Sequence, residues 1–411
     1  MITAAARSIA PNTDVDSVRE NLVTRVLQRY PATCIMVVPY LLLVIPQAVW
    51  YQNPRTYFLV GLIGLALCGA GLIETALLKL RPLYPQLTDR VSANSRYPRI
   101  LLIARPVAII GVAADIVSAA AGGGGIGTQI TGRAATSPLV PILTPLITWK
   151  YMALALFASA CLGGLMNKSS FYRWTAAIMG AQFVVAALSA ITAPMVNFFS
   201  FIILACMLLG LFRARLAVTL SLILLLAWPA IFAVRNQIRE DQGITVSTEV
   251  TAQERLRFDT QITEVDKYEV PARVPGFITP ENILRYGLVP RALDSSRPIL
   301  ATGGLVSDYI GGSRTNSYSF LPLGNLYFFT GPYGVMLFYS LWALALALLL
   351  RTGQGPGPGR LMLLFVAIAG PLSWTSSYPE SVVGYLQSMV AMLPVFGALR
   401  LFGRDPESPD A

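Results

Sequence analysis

Apolar runs of about 16–24 residues, each long enough to cross a roughly 30 Å hydrocarbon core, recur along the chain. A backbone in lipid must satisfy its own polar groups, so runs of this length are read as helices. Hydrophobic residues are 55% of the 411 and charged residues only 13%, which leaves too little polar surface for a set of soluble domains. The expectation is an all-α polytopic membrane protein with about ten transmembrane helices. Their expected positions are about 32–51, 56–78, 100–121, 145–166, 174–192, 197–212, 216–234, 331–350, 361–376 and 384–402.

Basic residues orient these spans. Alternate connections carry Lys79, Arg81, Arg90, Arg96 and Arg99, then Lys168 and Arg173, then Arg213 and Arg215, then Arg351 and Arg360. The short connections between them hold little more than Arg55 and Arg133. Both termini are therefore expected in the cytoplasm, with one large external loop between spans 7 and 8. Residues 1–31 read as a cytosolic amphipathic segment and 32–234 as spans 1–7. Residues 235–330 form the external loop, 331–402 hold the last three spans, and 403–411 are a cytosolic tail. The first span follows a long charged preface without a small-residue cleavage site, so it is expected to be a retained anchor. GQGPGPG at 353–359 reads as a flexible cytosolic turn.

The net charge of +10 is spread over the short connections, which topology explains, so no nucleic-acid partner is expected. The chain has no histidine, which removes the commonest general base and metal ligand. Cys34, Cys68, Cys161 and Cys206 all fall inside expected spans and read as packing residues, with no metal site.

Glu74, Arg105 and Asp115 are the charged residues noted within spans. Such charges need a partner or a cavity. A Glu74–Arg105 structural pair is expected near the inner leaflet, a proton or ion relay being the alternative. The apolar stretch in 136–148 is too short to cross by itself and reads as an interfacial or re-entrant segment.

The large loop and its margins, 235–321, hold about half of the carboxylates and about a third of the basic residues. Residues 249–269, rich in alternating charge, read as a solvated helix or lid. Thr279, Pro280, Glu281 and Gly287 have the order of a helix cap, first turn and stop. Beyond them come glycine pairs at 303–304 and 311–312 and a run rich in Ser, Thr and Tyr. Arg285, Arg291, Arg297 and Arg314 supply forked donors suited to phosphate, ordinary surface ion pairs being the alternative.

The stretch RPILATGGLVSDYIGGSRTNSYSFLPLGNLYFFTGPYGVMLFYSLWALAL, from Arg297, resembles the late region of Wzy-type oligosaccharide repeat-unit polymerases. Pro322, Gly324, Tyr327, Gly331 and Gly334 match that family's approach to the next span. Asn325 stands where many relatives carry an acid. The resemblance implies a GT-C class membrane glycosyltransferase acting without metal or other cofactor. It would polymerise polyprenyl-pyrophosphate-linked oligosaccharides at the outer face of a bacterial plasma membrane, in company with a chain-length regulator and a flippase.

Under that reading the leaving pyrophosphate must be neutralised, and arginines are the means at hand. Arg285, Arg291 and Arg314 lead, with Arg297, Arg239 and Arg133 behind. With no histidine, a carboxylate is the base for the acceptor hydroxyl. Asp308 is the first choice, with Asp294 and Glu380 as rivals. Tyr309, Asn316, Tyr318, Asn325 and Tyr327 are the candidate glycan contacts. A lipid-linked glycan ligase of the same architecture and a polysaccharide or lipid transporter (a flippase) are the competing readings.

Overall fold

The computed structural model describes residues 22–80, 97–123, 137, 139–241, 256–275, 280–289, 293–294, 302–312, 318–350, 357–369 and 378–403. Among these residues there are fourteen helices and no strand. Helix α1 is Leu22–Arg29, α2 Pro31–Trp50, α3 Thr56–Leu80, α4 Ile100–Ala120 and α5 Leu139–Leu162. Then come α6 Lys168–Ser189, α7 Ala193–Leu208, α8 Ala214–Asp241, α9 Phe258–Thr263, α10 Pro280–Leu288 and α11 Thr302–Tyr309. The chain continues through α12 Leu321–Leu350, α13 Pro358–Ala369 and α14 Tyr378–Phe402.

Eight of them (α2, α3, α4, α5, α6, α8, α12 and α14) are long and apolar enough to cross a membrane. The shorter apolar helices α7 and α13 occupy the sixth and ninth expected positions, with 16 and 12 residues. The all-α polytopic class is thus the observed one. Successive long helices run up and down. One end of the bundle, the loop face, gathers the turn between α2 and α3, the last residues of α4, α6 and α8, and the first of α12 and α14. The other end gathers the starts of α4, α6, α8 and α13, with Arg99, Lys168, Arg213, Arg215 and Arg360.

The bundle closes where small residues let backbones meet. A Cβ on Gly69 of α3 would lie 2.5 Å from the Met336 carbonyl oxygen of α12, and Ser340 Oγ donates to the Gly69 carbonyl. A Cβ on Gly111 of α4 would lie 2.6 Å from the Lys150 backbone nitrogen of α5. Helix α8 is peripheral, with only Ala217 and Phe232 buried along it.

Three expectations change here. The apolar piece read as re-entrant, within 136–148, instead begins a single 24-residue apolar helix, Leu139–Leu162. Its length alone made it too short to cross, but it is continuous with the span expected from 145, and Pro145 sits inside the helix without ending it. The span expected from residue 331 starts ten residues earlier, at Leu321, and is broken at Gly331 (φ 69°, ψ −172°), a backbone region open essentially to glycine. Pro332 has no N–H to give the Phe328 carbonyl, and Ala272 N–H takes that place at 2.7 Å.

The third change is that the charged segment read as a solvated lid is docked where it is described. Ile262 and Val265 are fully buried in the main core, and Asp259 is buried with them. Several of its charges are paired: Arg257 holds Asp259 through two hydrogen bonds, at 2.8 and 3.1 Å, Arg55 meets Asp266 at 3.3 Å, and Lys267 meets Glu264.

Candidate functional site

The loop face is built by three anchors. The first is the segment 256–275. Asn53, in the turn after α2, donates to Asp259 Oδ2 and Thr263 Oγ1, and Gln47 Oε1 accepts from Phe258 N–H. The Arg257 guanidinium lies 3.7 Å over the Tyr51 ring. Burial alone would raise the Asp259 carboxyl, but Arg257 and Asn53 outweigh it and hold the group below the usual carboxylate range. The same hydrogen bonds push the Arg257 guanidinium up.

The second anchor is the buried start of α12, where the family-like motif falls. A helix leaves its first N–H groups without internal partners. Here Ser319 Oγ accepts from Leu321, the Tyr40 hydroxyl from Leu323, and Asn325 Oδ1 from Phe320 at 3.0 Å. Asn325 Nδ2 completes the turn by donating to Ser319 Oγ. Asn325 is 1% exposed, so its expected role as a glycan contact gives way to bracing this turn. Gly324 leaves room for Phe320 and Ile262, and Tyr327 packs edge-on to Phe58 of α3.

Phe328 stands at the centre of an aromatic group that sequence reading did not assemble. Phe320, Phe329, Tyr309 and Tyr268 approach its ring at 5.0, 5.0, 5.7 and 6.1 Å. Tyr318 stacks edge-on to Phe320, and desolvation pushes its hydroxyl up to about 12. Tyr309 is 38% exposed, so of these rings it stands at the rim. Partners from three separate segments make up this group, so no local pattern announces it.

The third anchor joins α10, α11 and the first turn of α14, and three of the candidate acids meet it. Arg285 on α10 holds Asp294 with a forked pair of bonds, Nε–Oδ2 at 2.8 Å and Nη2–Oδ1 at 2.6 Å. Asp294 is buried, whereas the Arg285 side chain remains about half exposed. The Asp294 carboxylate keeps the guanidinium pKa above its ordinary value. A candidate phosphate donor and a candidate base are therefore partners of each other.

Glu380, in the first turn of α14, accepts from Thr302 N–H at 2.9 Å, closing the N-terminus of α11. Asp308, near the other end of α11, is the exposed carboxylate of the three. Helix α10 lies against α14: a Cβ on Gly287 would meet Leu386 at 2.5 Å, and Gln387 donates to the Tyr286 carbonyl. Gly287 thus serves a helix contact within α10, not the helix stop expected of it. Arg285 and Asp294 pair directly, Glu380 ties α14 to the start of α11, and Asp308 stands near the other end of that helix.

Arg239 is elsewhere. Its Nε and Nη2 both donate to the Ala190 carbonyl, at 3.1 and 3.0 Å, where α6 ends in a left-handed residue. That engagement is with the backbone at a helix C-terminus, where a cation is favoured. Arg133, Arg291, Arg297, Arg314 and Asn316 lie outside the described residues.

Within the spans, the expected Glu74–Arg105 pair is absent. Glu74 is fully buried and accepts from Ala32 N–H at 2.7 Å and Thr33 N–H at 3.3 Å, at the start of α2. A carboxylate there meets the positive end of a helix, which the spacing of charges along sequence does not reveal. Asp115 instead finds Lys150 of α5, with Nζ 2.5 Å from Oδ2, and Gln182 of α6, whose Nε2 donates at 2.9 Å. Gln182 Oε1 accepts from Lys150 at 2.9 Å, closing a buried triangle. The Lys150 ammonium also lies 5.1 Å from the Phe198 ring centroid. The signal was legible: a lysine inside the run 145–166 must meet an acid.

Comparison with known proteins finds no family model, no curated protein and no solved structure that matches this chain.

Proposed function

We propose that this multi-pass membrane protein is a glycosyltransferase that polymerises polyprenyl-pyrophosphate-linked oligosaccharide repeat units at the outer face of a bacterial plasma membrane. The observation that carries the reading is the third anchor: a half-exposed arginine and an exposed carboxylate held on short helices against the bundle's loop face. The growing glycan on one lipid carrier is transferred to a hydroxyl of a second lipid-linked unit. The bond from the sugar to the first pyrophosphate breaks and polyprenyl pyrophosphate leaves.

Arg285 faces the charge that develops on that pyrophosphate, with Asp294 fixing the guanidinium's orientation. Asp308 takes the acceptor proton. Glu380 acts at one remove, by holding the start of the helix that bears Asp308. Tyr309, at the rim of the aromatic group, offers a ring face to a sugar.

Deleting the gene in its source cell is expected to collapse a surface-glycan ladder to a single-repeat band, and Arg285→Ala and Asp308→Asn should do the same at normal protein levels. An intact ladder in the deletion would overturn the proposal. One observation favours transport as a second reading: the buried Asp115–Lys150–Gln182 triangle, since ionisable groups inside spans often mark ion or substrate paths. Uptake into vesicles that depends on Asp115, with an intact ladder in the deletion, would support that reading instead.

A further inference from the structure

Among the described residues, the basic end of the bundle carries many more exposed cations than carboxylates. Arg99, Arg105, Arg173, Arg213, Arg215 and Arg360 are all exposed there. Among the described residues the one carboxylate at that end is Glu74, which is buried against the start of α2. Most of these arginines sit within a residue or two of a helix start, where water reaches them. Arg105 does not.

Arg105 lies five residues beyond the first residue of α4, about 8 Å into the helix by its rise. It is exposed, and its neighbours on the helix surface are apolar and outward: Leu102 at 64%, Ile109 at 60% and Ile110 at 41%. No hydrogen bond or ion pair to Arg105 is present among the described residues. Gln182 and Asp115 meet side by side, and α4 and α6 both start at the basic end, so ten residues back the level of Arg105 is about that of Tyr172 and Arg173. Arg173 is exposed too, and no ion pair to it is present among the described residues. Two helices thus put an exposed guanidinium at one level of the bundle.

A guanidinium cannot be neutralised by losing its proton, and hydrocarbon does not solvate it. Helical side chains lean toward the N-terminus, which for α4 is the basic end, so Arg105 reaches back toward the headgroups. What it meets there is phosphate. Its forked donors match phosphate oxygens, and a headgroup with net negative charge leaves that charge for the arginine, unlike one that carries its own cation.

We propose that Arg105 anchors a binding site for an acidic phospholipid, with the phosphate on the guanidinium and the acyl chains along Leu102 and Ile109. The site belongs to the leaflet at the basic end and stands apart from the loop-face assembly. It holds whatever reaction that assembly performs.

The test begins with the full chain extracted in mild detergent. Native mass spectrometry and phospholipid analysis count the lipids retained by the wild type, Arg105→Gln, Arg105→Lys and, as a control at a helix start, Lys168→Gln. The wild type and Lys168→Gln are expected to retain acidic phospholipid, and Arg105→Gln to lose most of it. Arg105→Lys should retain an intermediate amount, since it keeps the charge without the fork. In nanodiscs, adding phosphatidylglycerol to phosphatidylcholine should raise the wild-type melting temperature and leave Arg105→Gln nearly unmoved.

Equal retention of acidic lipid by Arg105→Gln and wild type would overturn the proposal. So would a wild type that retains zwitterionic lipid as readily, a comparison that needs no variant to fold. Stabilisation by inorganic phosphate equal to that by phosphatidylglycerol would assign the site to free phosphate and sink the lipid.

Discussion

The buried triangle of Asp115, Lys150 and Gln182 gives the sharpest energetic prediction. At 2.5 Å the charges of Lys150 and Asp115 attract by roughly 7 kcal/mol at an effective dielectric constant of about 20. Taking both ions out of water costs several kcal/mol each, so the intact pair contributes little net stability. Removing one partner is different, because the other is left buried and charged, at a cost of about 3–5 kcal/mol. Lys150→Met and Asp115→Asn should each destabilise by that amount, whereas the double variant should return close to the wild type. The assay is a double-mutant cycle on unfolding in mixed micelles, followed by tryptophan fluorescence and checked by proteolysis. Additive losses in the double variant, or a Lys150→Met protein that unfolds like the wild type, would refute the reasoning. A double variant with normal stability but no activity would move the pair from structure to mechanism.

Two further outcomes are expected. Asp259 titrates below its ordinary value in the folded protein, so its contribution is present above the unfolded pKa of about 3.9 and is lost as pH falls through the lower folded value. Unfolding free energy should thus carry an acid-limb loss below about pH 4 that Asp259→Asn removes, and between pH 5 and 7 this group's contribution is constant and adds no pH dependence. Asn325→Ala leaves the Phe320 N–H without its acceptor and should cost about 1–3 kcal/mol, read as a lowered melting temperature. Full thermal stability combined with lost polymer formation would return Asn325 to the role of glycan contact.

The sequence by itself determined the class of this protein and most of its helices. Apolar runs that long have one solution in lipid, because each backbone group must be satisfied within its own segment, and that constraint is local. It placed α2, α3, α4, α6, α8 and α14 close to where they lie. The errors came where a local rule met a tertiary partner. The apolar piece ahead of residue 148 read as too short to cross, yet it runs on through Pro145 into one long helix; the span read from 331 starts at Leu321, and Pro332 within it is tolerated because Ala272 supplies the missing donor. The alternating charges near 259 read as solvated, yet Arg257 and Arg55 pair with Asp259 and Asp266 while Asn53 donates to Asp259.

The site divides in the same way. Sequence could name Arg285, Asp294, Asp308 and Glu380 as the residue types that phosphate and proton chemistry need. Only the tertiary structure decided that Arg285 and Asp294 hold each other, that Glu380 caps the helix of Asp308, and that Asn325 braces a turn. It alone paired Asp115 with Lys150, 35 residues apart, while Glu74 took a helix terminus as its partner. Residue chemistry is written in the chain, but which charges meet is set by which helices pack, and that depends on small residues such as Gly69 and Gly111 whose role appears only when two backbones touch.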